Sequence, residues 1–393
     1  MKKFLKIFFL SILILVVSIV VFIGEPTLDV TGKTFTENDY SAVLSDSISG
    51  NPLVTDIAML AAHDTLSQGI KRNSKINTKD SGGFLSNPKI SFLTETGIFQ
   101  GIAGGLIQRI SVAQKSTVYD LLKRGVRYFD LRVAEYDGVW YGVHGLVGDS
   151  LDGAVKDCIR FMSENDGEII VLEFRHIYAV GDTQYKDLFD YVAGIRYGNE
   201  GLYDYLRFDP DSIALGDLRY SDAVSGGSGV VLTAPDFYSY AMKKGGIYYG
   251  GDITEEALQS VPAEYLSEKP TEVYADIPRA VWHNEISDEA MLEGIRAEYN
   301  YLKENPDIYG GTFRINQAQK TPKMAVKSIP SVVAGWSLLN LANKFNPVLL
   351  NQADFLDWLS VMPVFHVDYA DSMKDGFNDN VIALINEYNK KLI

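Results

Sequence analysis

The chain has 393 residues, 46% of them hydrophobic and 22% charged, with a formal net charge of −15. These proportions exclude a disordered chain and suit one large folded domain. Acidic residues are spread along the chain with no Lys/Arg block beyond the N-terminus, which excludes nucleic acid as a partner held by bulk charge and leaves little long-range pull toward anionic lipid.

The first element is apolar. Residues 4–23, FLKIFFLSILILVVSIVVFI, contain one lysine and two serines, and at about 1.5 Å per residue such a helix covers the roughly 30 Å hydrocarbon core of a bilayer. Lys2, Lys3 and Lys6 precede or open the run while Glu25 and Asp29 follow it, so the positive-inside bias keeps the N-terminus in the cytoplasm and puts the body outside. A cleaved signal peptide is the rival reading, in which case the body is secreted; the length of the run and the lack of a small-x-small site between Val20 and Pro26 favour an uncleaved anchor. Residues 1–25 are therefore expected to anchor the chain in the membrane, and residues 26–50, rich in Thr, Ser, Asp and Gly, to form a tether.

Beyond residue 50, short apolar runs alternate with helical patterns. Strands are predicted near 56–62, 126–132, 139–143, 168–175, 229–233, 311–315 and 363–367, with helices near 117–124 and 151–164. This alternating order leads to a parallel α/β barrel. The single cysteine, Cys158, falls in the second helical pattern and reads as a small buried apolar residue; no intrachain disulfide or cysteine-rich metal site can form.

In a parallel barrel, chemistry gathers where strands end. His63 and Asp64 follow the first strand, Asp130 and Arg132 close the second, His144 follows the third, Arg175 and His176 end the fourth, and Asp368 follows the last. Two histidines, several carboxylates and two arginines at one rim form a phosphate-handling set. His63 and His144 after successive strands make the stronger pair among the five histidines. His176 reads as a structural hydrogen-bonder, His283 lies in a turn-like stretch, and His366 is expected to face away from Asp368 by strand alternation. Arg132 and Arg175 either bind phosphate bidentately or form buried ion bridges to Asp130, Glu173 or Glu135.

A metal site has little support. There is no HExxH, Cys/His cluster or EF-hand loop, and two rim arginines would repel a divalent cation. The G-x-S-x-G elbow of acyl-transfer hydrolases is absent too. What remains is phosphate ester cleavage by a general acid and a general base, with no cofactor.

The motifs at these positions are AAHDTLS at 61–67, ISVAQKSTVYDLLKRGVRYFDLRV at 110–133, YGVHGLVGDSLDGAVKDCIRFMSENDGEIIVLEFRHIY at 141–178, INQAQKTP at 315–322 and PVFHVDY at 363–369. In that order they resemble the X domain of phosphatidylinositol-specific phospholipase C (PI-PLC), above all its metal-independent bacterial and X-domain-only forms. The match runs from about residue 55 to the end, poorly between 235 and 305. The resemblance implies a distorted, incompletely closed TIM barrel over residues 51–393, acting on the headgroup of phosphatidylinositol or a related lipid at a membrane surface.

It also implies roles. His63 matches the general base that takes the proton from the inositol 2-hydroxyl, and Asp368 the carboxylate that orients it. His144 matches the general acid that protonates the leaving diacylglycerol oxygen, with Asp64 assisting. Arg132 matches the cation that holds the phosphate, Asp130 falls in the same D-x-R motif, and Arg175 matches a headgroup-contacting position. In the calcium-dependent branch the positions of Arg132 and Arg175 carry carboxylate metal ligands, so here two arginines replace the metal's charge.

Ala61-Ala62 stand where the family has Pro-Gly. The apolar, glycine-rich stretch GIFQGIAGGLIQRI at 97–110 is expected to form a lipid-contacting rim or a lid over the barrel mouth. Two rival functions remain: a metal-dependent glycerophosphodiester phosphodiesterase, and a surface protein that binds the headgroup without turnover.

Overall fold

Four strands are buried along their whole length, as parallel strands covered on both faces must be: the apolar runs β1 (Met59–Ala62), β8 (Gly229–Thr233) and β10 (Val364–Val367), and the more polar β9 (Ile315–Gln317), which begins where the expected 311–315 strand ends. The structure is a computed structural model that describes residues 10–11, 38–79, 104–105, 107–178, 184–244, 259, 261–322 and 337–393. Nearly all of the expected anchor, residues 26–37 of the expected tether and most of the 97–110 stretch lie outside the described residues. No helix among those described is long and apolar enough to cross a membrane.

With β2 (Val126–Tyr136) and β5 (Ile169–Tyr178), these strands pair in the parallel order β9-β10-β1-β2-β5-β8. The ladder does not close: no strand pairing joins β8 to β9 among the described residues, and single parallel bridges, Thr233 to Tyr274 and Arg279 to Arg314, lay extended chain across the gap. β2 runs past its neighbour β1 and continues as an antiparallel ribbon with β3 (Val139–His144), which pairs in turn with β4 (Leu146–Ser150), a strand the sequence pattern did not suggest. A two-residue hairpin, β6 (Arg196–Tyr197) and β7 (Glu200–Gly201), lies off the barrel sheet.

Helices cover the outside. In α1 (Leu151–Glu164), Leu151, Val155, Cys158, Ile159 and Met162 recur at helical spacing and are all buried, as the period requires. Cys158 is thus the core residue expected. At the far end of the chain, α2 (Phe377–Asn389) delivers Asn389, whose side chain accepts from the Ala58 N–H at 2.9 Å and donates to the Ala58 carbonyl at 3.0 Å. That pins the entry to β1.

Residues 38–50 depart from the expected free tether. The Tyr40 N–H donates to the Lys123 carbonyl at 2.9 Å, and its hydroxyl to Asp379 at 3.0 Å. Val43 and Leu44 are buried, and the N–H groups of Leu44 and Ser45 donate to Glu168 at 3.1 and 2.9 Å. The reason lies in a buried ion pair, Arg127 to Glu168 at 2.7 Å, whose remaining lone pairs and N–H groups need partners away from water. Polar composition alone does not reveal such a demand.

Candidate active site

Every reactive side chain named from the rim lies at one end of this barrel, and Asp64 ties them together. It is buried, directly after His63, with a left-handed backbone (φ 43°) that turns the chain sharply off β1. One carboxylate oxygen is 3.0 Å from His144 Nδ1 and 3.2 Å from His63 Nε2; the other is 2.5 Å from Arg132 Nε. The His63 and His144 rings are 6.1 Å apart.

His63 Nδ1 lies 2.7 Å from Asp368 Oδ1, and Nε2 lies 3.1 Å from an Arg132 terminal nitrogen. With Nδ1–H donating to Asp368, the neutral ring offers Nε2 as an acceptor. When that nitrogen is protonated, Asp64 can receive its hydrogen. His144 Nδ1 faces the Ser111 carbonyl at 2.8 Å as well as Asp64, so its proton is held there and Nε2 is left for other work.

Electrostatics set the two imidazoles apart. Burial acts to depress the His63 pKa, but the charges of Asp64 and Asp368 outweigh it and the net shift is upward. At His144 burial prevails over Asp64, and the pKa falls. Burial also works against ionised Asp130, yet Arg132 and Arg175 hold it well below the usual carboxylate range. Burial raises Asp368.

The two arginines divide differently. Arg132 bridges Asp64 and, at 3.5 Å, Asp130, not Glu135, which pairs with Lys79. Arg175 is bidentate on Glu173 at 2.9 and 3.0 Å, and the Tyr128 hydroxyl donates to the same carboxylate at 2.8 Å. Both guanidinium groups still line a cavity of about 610 Å³, together with His63 and His144. Ile277 and Trp282, exposed, line it too.

His366 is placed otherwise than expected, while His176 hydrogen-bonds as expected and lines the cavity besides. His366 faces the site, its ring perpendicular to His63 with centroids 5.1 Å apart. Residues two apart on a strand share a face, so alternation puts His366 on the side of Asp368, not opposite it. His176 also lines the cavity and meets Asp236, a residue the sequence reading did not single out, at 3.1 Å. The cause is a bulge: the β2–β5 register steps from Leu131–Phe174 to Arg132–His176, leaving Arg175 extra, and a bulge re-aims neighbouring side chains. His283 does not line the cavity.

Among the described residues, one group offers ligand atoms close enough to hold a metal ion, namely His63, Asp64 and Asp130, all within 4.8 Å of one another. The Arg132 guanidinium already contacts all three. A divalent cation there would have to displace a fixed positive charge.

No protein-family model matches the chain. PI-PLC X domain-containing protein 2 of Homo sapiens is 29% identical over 154 residues, which make up 38% of this chain and 47% of the relative. Variant-surface-glycoprotein phospholipase C of Trypanosoma cruzi is 29% identical over 148 residues, 36% of this chain and 38% of the relative. The stretches that match are similar to the X domain of PI-PLC, the resemblance that the sequence motifs carry. The chain spans about half the length of the curated X-domain protein it matches, 47%. Its fold is that of phosphatidylinositol-specific phospholipase C from Staphylococcus aureus, with a TM-score of 0.52 over 90% of this chain and 97% of that one at 15% identity. A mutant of the same enzyme gives 0.53 over 92% and 100%, also at 15% identity. At that identity the likeness carries the fold alone.

Proposed function

We propose that this chain is a phospholipase C-type phosphodiesterase that cleaves the glycerol–phosphate bond of phosphatidylinositol or a related lipid, with two histidines and an arginine in place of a metal. The observation that carries the reading is the joint attachment of His63, His144 and Arg132 to Asp64 at a cavity.

In this reading Arg132 moves its guanidinium from His63 Nε2 to the substrate phosphate, which frees that nitrogen. Neutral His63, oriented by Asp368, takes the proton of the headgroup 2-hydroxyl as its oxygen attacks phosphorus. His144, protonated on both nitrogens and held by Asp64, gives its Nε2 proton to the departing glycerol oxygen. One P–O bond forms, one breaks, and a cyclic phosphate leaves with diacylglycerol. Asp130 supports Arg132, and Arg175 offers headgroup contacts from its seat on Glu173. The apolar N-terminal run supports a further part of the proposal, that the body works outside the cytoplasm on a chain anchored in the membrane, or secreted if that run is cleaved.

The test is headgroup release from phosphatidylinositol vesicles in excess EDTA. Release that persists in EDTA and collapses in His63→Ala and His144→Ala supports the metal-free mechanism. Loss on chelation, restored by calcium, points to a metal-dependent diesterase. Binding without release marks a headgroup-binding protein.

A further inference from the structure

His366 has no part in the acid–base pair, yet it sits among its members. It is 1% exposed, and neither ring nitrogen has a hydrogen-bond partner. On β10 it lies beside Ala61 of β1, whose small side chain leaves room for the ring. A buried imidazole left unpaired is destabilising compared with an apolar residue of the same shape.

The carboxylate beside it is Asp130, with Nε2 3.7 Å from Oδ2. Asp130 is itself buried, and all its contacts are long: the Asp64 N–H at 3.4 Å, Arg132 at 3.5 Å, His366 at 3.7 Å and Arg175 at 4.0 Å. Arg175 is committed to Glu173 by two short bonds. If Arg132 turns to a phosphate, Asp130 loses its nearest cation, and the ring N–H of His366 is the uncommitted donor beside it.

We propose that His366 is a positioning residue: as Arg132 engages the phosphate, His366 donates its Nε2–H to Asp130, keeping the buried carboxylate partnered and the adjoining His63 ring in place. This rests on the reading of Arg132 as the phosphate ligand. Loose contacts that tighten only when the site is filled are common in empty catalytic sites.

The experiment uses the full chain in detergent micelles with histidine rings labelled at Cε1, titrated with inorganic phosphate by NMR. Saturation is expected to move the His63 and His366 signals in the wild type, and only His63 in Asp130→Asn. A His63 signal that moves while His366 stays still overturns the proposal and leaves the phosphate site standing, as does a His366 shift that survives in Asp130→Asn. If neither signal moves, the phosphate reading falls and this inference with it. On phosphatidylinositol vesicles, His366→Phe should lower kcat/KM roughly 10- to 100-fold, the scale of a hydrogen bond to a charged group, and His366→Gln should recover most of it. Equal losses in both variants would show a packing role and overturn the proposal.

Discussion

The two ends of the barrel bury the same kinds of charge in opposite ways. At the N-terminal end Arg127 and Glu168 are fully buried and saturated: Arg127 donates to Glu168 and to the carbonyls of Leu122, Val126, Tyr40 and Ser41, and Glu168 accepts from Leu44 and Ser45. At the C-terminal end both oxygens of Asp64, one of Asp130 and both nitrogens of His366 have no hydrogen bond of good geometry. A saturated network holds the fold and resists change. In the unsaturated one, Arg132 is held to Asp64 and Asp130 by ion pairs and not by a full set of hydrogen bonds, so its guanidinium can turn to an anion that arrives with the substrate.

The largest effects should separate these ends. His63→Ala or His144→Ala should cut headgroup release from phosphatidylinositol vesicles by about 10²- to 10⁴-fold while the thermal midpoint stays near that of the wild type; a large drop in the midpoint would erase the distinction. Glu168→Ala should do the reverse, removing about 3–5 kcal/mol of stability by stranding a buried Arg127, with the folded fraction still active. Urea unfolding followed by activity at low denaturant reads both.

The pH profile sharpens the contrast within the site. With His144 shifted below its usual 6.5 and His63 above it, the singly protonated pair dominates between the two values. Productive chemistry needs that same proton count with the proton on His144, a minor arrangement of the same macroscopic state. The expected kcat/KM curve is a bell, rising with pH through a step below 6.5 and falling through one above 6.5. A sigmoid with a single step would break the two-histidine reading. The smallest effect should come from His176→Ala, half-exposed and paired to Asp236, which should raise KM by less than about tenfold and leave kcat alone.

How much of this was legible depends on whether a side chain's neighbours are set by its own strand or by another. His63 and Asp64 could be named because a parallel strand sends its end to one rim, and Asp368 follows from the same rule. Arg132, however, lies inside β2, which runs on to Tyr136, and His144 ends β3, antiparallel to β2, so these two reach the rim through a ribbon that the parallel pattern does not encode. His176 was undervalued because the bulge at Arg175 belongs to the pairing of β2 with β5, which no single strand encodes. His366 could have been read from the two-residue period, which places it with Asp368. The docking of residues 38–50 was invisible because it answers a charge pair, Arg127 with Glu168, whose members are 41 positions apart.

That docking also fixes from which end the molecule is held. Between Arg127 at the docked end and Arg132 at the site lie five steps of β2, about 17 Å at roughly 3.3 Å per residue. Whatever is joined ahead of residue 38, a bilayer helix or a resin-bound tag, therefore grips the barrel like a cup held by its base. The mouth with Ile277 and Trp282 opens on the opposite side, so a surface presented from that side meets it directly. A surface carrying the grip itself is reached only if the joining segment is long enough to let the body turn over.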